Sequence, residues 1–360
     1  MNRSLSFPRG AVGRPVSEAF RALRRNGYFR RSRSAWEGVA GHKEWLHFAV
    51  HGEGLDLLAN FSLVDDVRPH AKAGAELCRV VCLVREQRWT GDIDQYDRSE
   101  VHLRGGELGA RFGHNRAELR SGVIELSLAM KRRSIALNLV LEPLALPTQA
   151  NNLQVDDCPP IQWIVAPRLF ASGVVQIDGR RFELSRAPAY HDHNWGYFRW
   201  GKNFAWEWGY AAPDSEQNPW TLVCVRLSDR AHLTDLMQAV FLWKGERQCR
   251  LFRAGELSVW HEGLLRPREV FKLPRVMGLA SPENVTDVPA RLVIRARRGA
   301  DRVDVEFVSR DVAQVIIPND DDLGVTIIHE VAGDVNVEGR IDGERVSIEG
   351  ASIFEFLGHG

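Results

Sequence analysis

The chain has 360 residues, of which 44% are hydrophobic, so it is long enough to bury more than one apolar core. Its 47 lysines and arginines balance 47 aspartates and glutamates, which excludes an overall field that would attract nucleic acid. No apolar run approaches the roughly 20 residues that a membrane-spanning helix needs. The composition therefore predicts two lobes, or one large lobe with insertions, and no nucleic-acid partner.

The cysteines and the N-terminus bear on the cellular compartment. The five cysteines are an odd number, and only Cys78 and Cys82 lie close together, at a spacing unlike that of a Cys-x-x-Cys pair. Reduced thiols are the simplest interpretation. Because the N-terminus also lacks the apolar segment of a secretion signal, we expect a cytoplasmic protein.

Residues 1–35 are basic, with nine arginines, no lysine and a single acidic residue, Glu18. A short amphipathic stretch through Val16, Phe20 and Leu23 would let this arm touch anionic lipid headgroups, at the periphery of a membrane. The alternative is a frayed arm that docks one helical turn on the body, as chain termini often do.

From Trp36 onward, short runs of alternating apolar and polar residues predict half-buried β-strands. The clearest runs are 44–50, 80–84, 134–141, 172–177, 220–227, 290–296, 302–308, 325–330 and 335–341. Three dipeptides between such runs favour two-residue hairpins: Gly105-Gly106, Asp178-Gly179 and Asp342-Gly343. Many short antiparallel strands with few helices predict an all-β fold that closes into barrels.

A proline-rich stretch, residues 143–160, marks the expected boundary between the two lobes. Proline lacks the amide donor of a β-ladder, and four prolines fall in this stretch. We therefore expect a basic arm over residues 1–35, an N-terminal barrel over 36–150 and a C-terminal barrel over 151–360.

The segment 190–196, Tyr-His-Asp-His-Asn-Trp-Gly, is the strongest candidate for a working site. If it is extended, alternate side chains lie on opposite faces. One face then carries His191, His193 and Trp195, and the other carries Tyr190, Asp192 and Asn194. Two imidazoles beside an indole are suited to proton exchange, although a buried His-Asp pair is often only a satisfied polar network.

A second run, residues 204–210, divides in the same way. Its larger side chains share one face, namely Phe204, Trp206, Trp208 and Tyr210. Glu207 lies among small residues on the other face, so we expect desolvation to raise its pKa and suit it to be a general acid. The alternative is that the aromatic stripe is ordinary barrel core.

No metal is expected, although two of the histidines have a spacing that metal sites use. His191-x-His193 on a strand can offer two nitrogens to one ion. A cupin-like site would need a glutamate four residues after the second histidine, where this chain has Tyr197. His261 or His329 would have to complete the ligand shell.

Residues 192–196, Asp-His-Asn-Trp-Gly, resemble the Asp-His-x-Trp-Gly box of the carotenoid 1,2-hydratase (hydroxyneurosporene synthase) and AttH-like superfamily. Residues 172–190 are similar to the hairpin that leads into that box. Glu44-Trp45 resembles the superfamily's early Glu-Trp-Trp strand, and residues 350–355 resemble its closing strand. The resemblance covers most of residues 36–358.

The resemblance implies two consecutive lipocalin-like (calycin) barrels and an enzyme that acts on an apolar molecule without an organic cofactor. Hydratases of the superfamily use the histidine and tryptophan of the box, which correspond to His193 and Trp195. A tyrosine and an aspartate two residues apart also act there, whereas in this chain Ala212 follows Tyr210 at that spacing. The reaction is therefore left open between a lyase (hydratase) and an isomerase (cyclase).

The leading hypothesis is a cofactor-independent acid-base enzyme that hydrates, isomerises or cyclises an apolar isoprenoid, lipid or polyketide-like substrate between two barrels. Its predicted catalytic residues are His193, Trp195, Asp192, Glu207 and His191. Its predicted substrate-binding residues are Tyr190, Trp200, Trp206, Trp208, Tyr210, Trp45 and His47. The alternatives are a carrier of lipids or isoprenoids, and a scaffold or stress-response protein with filled barrels.

Overall fold

The computed structural model describes residues 21–22, 41–66, 75–153, 161–201, 204–213, 215–277 and 286–359. The basic arm expected over residues 1–35 lies outside them, apart from residues 21 and 22. Among the described residues, no helix is both long enough and apolar enough to cross a lipid bilayer. Two compact units make up the fold, one of residues 1–86 and 90–198 and one of 87–89 and 199–360.

The first sheet has twelve strands within the described residues. They are β1 His42–Gly52, β2 Leu55–Asp65, β3 Glu76–Arg85, β4 Trp89–Tyr96, β5 Val101–Leu103, β6 Gly109–Phe112, β7 Asn115–Arg120, β8 Val123–Ala129, β9 Ile135–Pro143, β10 Thr148–Leu153, β11 Ile161–Ile177 and β12 Arg180–Tyr197. A single 3-10 turn, Arg98–Glu100, precedes β5. The strand order is β4-β3-β2-β1-β12-β11-β9-β8-β7-β6-β5, with β10 paired to β11.

The second sheet has ten strands within the described residues. They are β13 Ala205–Ala211, β14 Trp220–Ser228, β15 Asp235–Lys244, β16 Arg247–Arg253, β17 Leu257–Leu264, β18 Phe271–Leu273, β19 Pro289–Arg298, β20 Asp301–Pro318, β21 Val325–Ile341 and β22 Glu344–His359. A 3-10 turn, Ala254–Glu256, joins β16 to β17. The order is β16-β15-β14-β13-β22-β21-β20-β19-β17, and β18 pairs with β20 in parallel, an exception to the expected antiparallel pattern.

Each sheet curls around one apolar core, because strands from opposite ends of its order meet. In the first unit, Phe112 of β6 contacts Phe61 of β2 with ring centroids 5.4 Å apart, and Tyr96 of β4 at 6.3 Å. In the second unit, Arg298 of β19 donates a hydrogen bond to the carbonyl oxygen of Leu251 in β16, at 2.9 Å. The prediction of an all-β fold with two barrel-like sheets is confirmed.

Two of the three predicted hairpin turns form as expected. Asp178 and Gly179 have φ of 49° and 82° and join β11 to β12. Asp342 and Gly343 have the same pair of values and join β21 to β22. The third pair lies inside the longer connection 104–108, where Gly106 alone of the two glycines has a positive φ, so the two-residue hairpin predicted there was wrong.

The boundary predicted after residue 150 was wrong. Strand β11 pairs with β9 and β12, and β12 pairs with β1, so residues 161–197 continue the first sheet. Pro143 is the last residue of β9 and pairs with Leu169, whereas Pro159 and Pro160 lie outside the described residues. The Asp-His-x-Trp-Gly box therefore belongs to the first unit, rather than to the C-terminal barrel.

Candidate functional site

The two predicted faces of residues 190–196 are present in β12. Leu46 of β1 belongs to the apolar core of the first unit and lies directly opposite His193. Phe48 of β1 also belongs to this core and lies opposite His191. Since opposed residues of an antiparallel pair share a face, the inner face carries the two histidines and Trp195, and the other face carries Tyr190, Asp192 and Asn194.

His193 is held by a glutamate from the start of the first sheet. Its Nε2 lies 2.7 Å from Oε1 of Glu44, which comes 149 residues earlier in the chain. Both side chains are fully buried. The ring of Trp195 lies 4.6 Å from the imidazole ring, tilted by 37°. A carboxylate in this position fixes the orientation of the imidazole and stabilises the imidazolium that forms when the histidine takes up a proton.

His191 has a different character, although it lies two residues away on the same face. Its Nδ1 donates a hydrogen bond to the carbonyl oxygen of His47 at 2.9 Å, and its ring stacks on Phe48 at 4.4 Å. Burial lowers the pKa of His191 to about 3. The ring is therefore neutral at neutral pH, and the structure gives no support to proton exchange by this residue.

Asp192 anchors a hydrogen-bond network on the other face of β12. Its Oδ2 accepts hydrogen bonds from Nε1 of Trp163 at 3.0 Å and from the hydroxyl of Tyr190 at 2.9 Å. Its Oδ1 accepts one from the side-chain amide of Asn194 at 2.8 Å. Three donors suit an ionised carboxylate and fix the positions of Tyr190 and Trp163 around it.

Trp45 and His47 lie on the face of β1 that points away from the apolar core, because Leu46 and Phe48 alternate with them and face inward. That Trp45 and His47 bind a substrate stays a prediction. The ring of Trp45 meets Phe198 edge-on at 6.2 Å. Burial lowers the pKa of His47 to about 4, so this imidazole is neutral at neutral pH.

Glu207 faces the core of the second unit, opposite Phe356 of β22. One of its oxygens lies 2.6 Å from a guanidinium nitrogen of Arg226, and the other lies 2.9 Å from Nε2 of His261. Burial acts to raise the pKa of Glu207, but the hydrogen bonds and charges of His261 and Arg226 outweigh it and hold the pKa below its usual value. The expectation of a raised pKa was wrong.

A cavity of about 20 Å³ lies beside Glu207, lined mainly by apolar side chains that include Val240, Leu292 and Phe354. A single water molecule needs about 10–15 Å³ of such space. The cavity therefore has room for one or two waters and is far too small for an isoprenoid.

The other face of β13 carries the predicted aromatic stripe. Trp206 lies 5.8 Å from Trp200 and 5.6 Å from Phe204, and Trp208 lies 5.8 Å from Tyr210, measured between ring centroids. The indole N–H of Trp206 donates a hydrogen bond to Glu355 of β22. These five aromatic side chains are buried and form a wall on one side of the second sheet.

The histidines of the metal alternative are divided between the two units. His191 and His193 belong to the first unit, whereas His261 and His329 belong to the second. In the second unit, His261 binds Glu207 and His329 lies 3.1 Å from the side-chain amide of Gln314. That no metal and no organic cofactor take part stays a prediction.

Solved structures share this architecture over most of the chain. A protein of Nitrosomonas europaea assigned as AttH has a TM-score of 0.62 and 12% identity, over 88% of this chain and 92% of its own. Kievitone hydratase from Nectria haematococca has a TM-score of 0.55 and 9% identity, over 88% and 89%. CghA has a TM-score of 0.53 and 13% identity, over 89% and 88%.

The chain shares the fold of these three proteins. The resemblance seen in residues 192–196 is thus confirmed at the level of the fold. A comparison of the sequence with protein-family models and with curated proteins finds no match.

Sequence reasoning missed the partners of the candidate residues. The sequence marks Glu44 only as part of a motif and gives no sign that Trp163 is a partner of Asp192. Glu330 and Glu355 carried no signal except alternation within an apolar strand. His193 and Glu207, which were expected to act together in one barrel, belong to different units, and each has its hydrogen-bond partners within its own unit.

Proposed function

We propose that this protein is an acid-base enzyme that moves protons on an apolar small molecule and thereby hydrates, isomerises or cyclises it without an organic cofactor. The observation that carries the proposal is the buried pair of His193 and Glu44, with the indole of Trp195 beside the imidazole. A histidine oriented by a carboxylate is a common arrangement for general base catalysis.

In the proposed reaction, His193 accepts a proton from water or from a carbon next to a cationic centre. Glu44 stabilises the imidazolium that results, because the two groups lie 2.7 Å apart and are shielded from water. The face of the Trp195 ring stabilises positive charge on the substrate through its π-electrons. Both effects suit a substrate that reacts through a carbocation.

The proteins of like fold support a proposal for the substrate class. We propose an unsaturated isoprenoid, lipid or polyketide, with no nucleic acid as partner. Among the structures of similar fold, one is a hydratase of kievitone and another is CghA with Sch210972, which supports a small organic molecule as substrate.

The proposal can be tested by incubating the protein in D₂O with geraniol, farnesol and squalene and measuring deuterium and added water by mass spectrometry. His193→Gln and Glu44→Gln keep a hydrogen bond at the pair but remove the proton relay. We expect each to lower incorporation by about 10²–10⁴-fold, the usual contribution of a general acid or base.

The matched control is His102→Ala, at an exposed histidine of β5, which should leave incorporation unchanged. Thermal melting of each variant shows whether it is folded. Incorporation that survives in folded His193→Gln protein would remove this residue from the reaction. Probes that bind but are recovered without deuterium or added water would favour a carrier.

A further inference from the structure

Strand β17 lies at one end of the strand order of the second sheet and, within the described residues, pairs with β19 alone. Its inward side chains Leu257 and Val259 pack against the apolar core but are only half-buried. Its outward side chains are exposed to solvent, namely Ser258, Trp260, Glu262 and Leu264. The ladder to β19 thus holds one edge of β17, and no strand that the structure describes pairs with the other edge.

One hydrogen bond fastens β17 to the opposite side of the sheet. The carboxylate of Glu207 is ionised at neutral pH, because its pKa lies below the usual value, so Nε2 of His261 donates to it, at 2.9 Å. Strands β13 and β17 are not neighbours in the strand order, so this bond crosses the interior of the unit. The side-chain bond from Glu262 of β17 reaches only Arg291 of the adjacent β19.

The cavity beside Glu207 has β17 as one of its walls. Leu257 and Val259 of β17 line it on one side, and Cys224 of β14 and Val240 of β15 also line it. Its volume of about 20 Å³ holds one or two water molecules. A larger molecule therefore enters only when β17 moves outward, which breaks the bond between His261 and Glu207.

The charges around Glu207 indicate what kind of molecule the opened cavity would accept. Loss of His261 would leave one oxygen of this buried carboxylate without a donor, which is unfavourable unless the guest supplies one. The guanidinium of Arg226 already binds both Glu207 and Asp235, each at 2.6 Å. Two carboxylates beside one guanidinium disfavour an anionic guest and favour a neutral or cationic one.

We propose that the second unit binds, in this cavity, a small apolar molecule that carries a hydroxyl or amino group, and that β17 is a lid that the His261–Glu207 hydrogen bond holds closed. The apolar part of the guest contacts Leu257, Val259 and Val240, and its polar group replaces His261 at the carboxylate. The site lies wholly within the second unit and is independent of the reaction proposed at His193.

Cys224 gives a direct measurement of access to the cavity, because it is a free, buried thiol in the cavity wall. Burial, together with the charge of Glu207, raises the pKa of Cys224 to about 12, so the thiol reacts slowly while the lid is closed. Labelling with N-ethylmaleimide followed by peptide mass spectrometry measures its rate. The exposed Cys249 serves as the reference thiol in the same protein.

His261→Ala removes the bond that holds the lid. We expect Cys224 of this variant to react about 10- to 100-fold faster than in the native protein, the change in open population that loss of one hydrogen bond to a charged group produces. The matched control is Glu262→Gln, on the outer side of the same strand, which should keep the native rate. Thermal melting shows whether each variant is folded. A folded His261→Ala protein with native labelling of Cys224 would overturn the lid.

The pocket itself is tested in the native protein with 1-aminoanthracene, an apolar fluorophore that carries one amino group. We expect it to bind and to slow the labelling of Cys224, and to bind more tightly to His261→Ala, in which the lid no longer has to be released. The anionic fluorophore 8-anilinonaphthalene-1-sulfonate should leave the labelling of Cys224 unchanged.

The absence of 1-aminoanthracene binding would overturn the pocket, as would binding that does not protect Cys224. Equal protection by the anionic fluorophore would contradict the preference for a hydrogen-bond donor. If His261→Ala does not fold, protection of Cys224 in the native protein still decides whether the cavity binds such a molecule.

Discussion

Glu207 and Glu355 lie on neighbouring strands of one sheet, yet their surroundings shift their pKa values in opposite directions. Glu207 faces a guanidinium and an imidazole, and its pKa lies below the usual value. Glu355 faces a second carboxyl and an indole, and its pKa lies above it. Burial acts to raise the pKa of both glutamates. The charged partners of Glu207 overcome this effect, whereas the partners of Glu355 do not.

The comparison also explains why the acid was first expected at Glu207. Its neighbours in sequence, Trp206 and Trp208, are apolar and gave no sign of a cation nearby. The guanidinium of Arg226 and the imidazole of His261 come from β14 and β17, which are distant in the chain. The opposite shift at Glu355 arises from burial, which outweighs the hydrogen bonds of Trp206 and Glu330 that act to lower its pKa.

The largest expected effect comes from removing the cation that distinguishes Glu207. Arg226→Leu leaves the buried carboxylate of Glu207 without its guanidinium partner, since Arg226 lies 2.6 Å from both Glu207 and Asp235. We expect a loss of about 3–5 kcal/mol in the free energy of unfolding, measured with urea. Arg345→Leu, at an exposed ion pair with Glu338, should lose less than about 1 kcal/mol. Equal losses would contradict a special role for Arg226.

A smaller loss in the free energy of unfolding is expected from replacing Gly209, which lies between Trp208 and Tyr210 on β13. Gly209 of β13 lies opposite Phe354 of β22, and a Cβ atom at Gly209 would lie 2.4 Å from the Phe354 ring. We expect Gly209→Ala to destabilise the protein by about 1–3 kcal/mol through overpacking. The same substitution at Gly255, where a Cβ has open space, serves as the control. A stable Gly209→Ala protein would show that β13 and β22 can separate without penalty.

The smallest expected effect is on how the free energy of unfolding depends on pH, which should differ between Glu207 and Glu355. The lowered pKa of Glu207 contributes stability above the unfolded pKa of about 4.3, and this is lost as the pH falls through the folded pKa. The raised pKa of Glu355 acts in reverse: the folded protein holds a proton that the unfolded chain releases, so stability falls as the pH rises from about 4.3.

Replacing each residue by glutamine should therefore change the slope of unfolding free energy against pH with opposite signs, by at most about 1.4 kcal/mol per pH unit. Glu207→Gln removes stability chiefly at neutral pH, while Glu355→Gln relieves a penalty there. Urea unfolding over a series of pH values measures both slopes. Slopes of the same sign would mean that the two glutamates are not distinguished by their partners.

Much of the fold was predictable because strand alternation is a local property. Residues 190–196 and 204–210 divide between two faces as their sequence indicates, and the Asp-Gly pairs at 178–179 and 342–343 turn the chain where expected. The runs 325–330 and 335–341 were predicted as separate strands but form the single strand β21, since β20 and β22 pair with it along most of its length.

The sequence by itself determined which side chains share a strand face, because a period of two needs no information from distant residues. Only the tertiary structure decided which side chains each strand face contacts. The pairing of β1 with β12 brings Glu44 to His193 and extends the first unit to residue 198, and the pairing of β21 with β22 brings two glutamates together. These contacts join segments far apart in the chain, and they set the charge beside each titratable group.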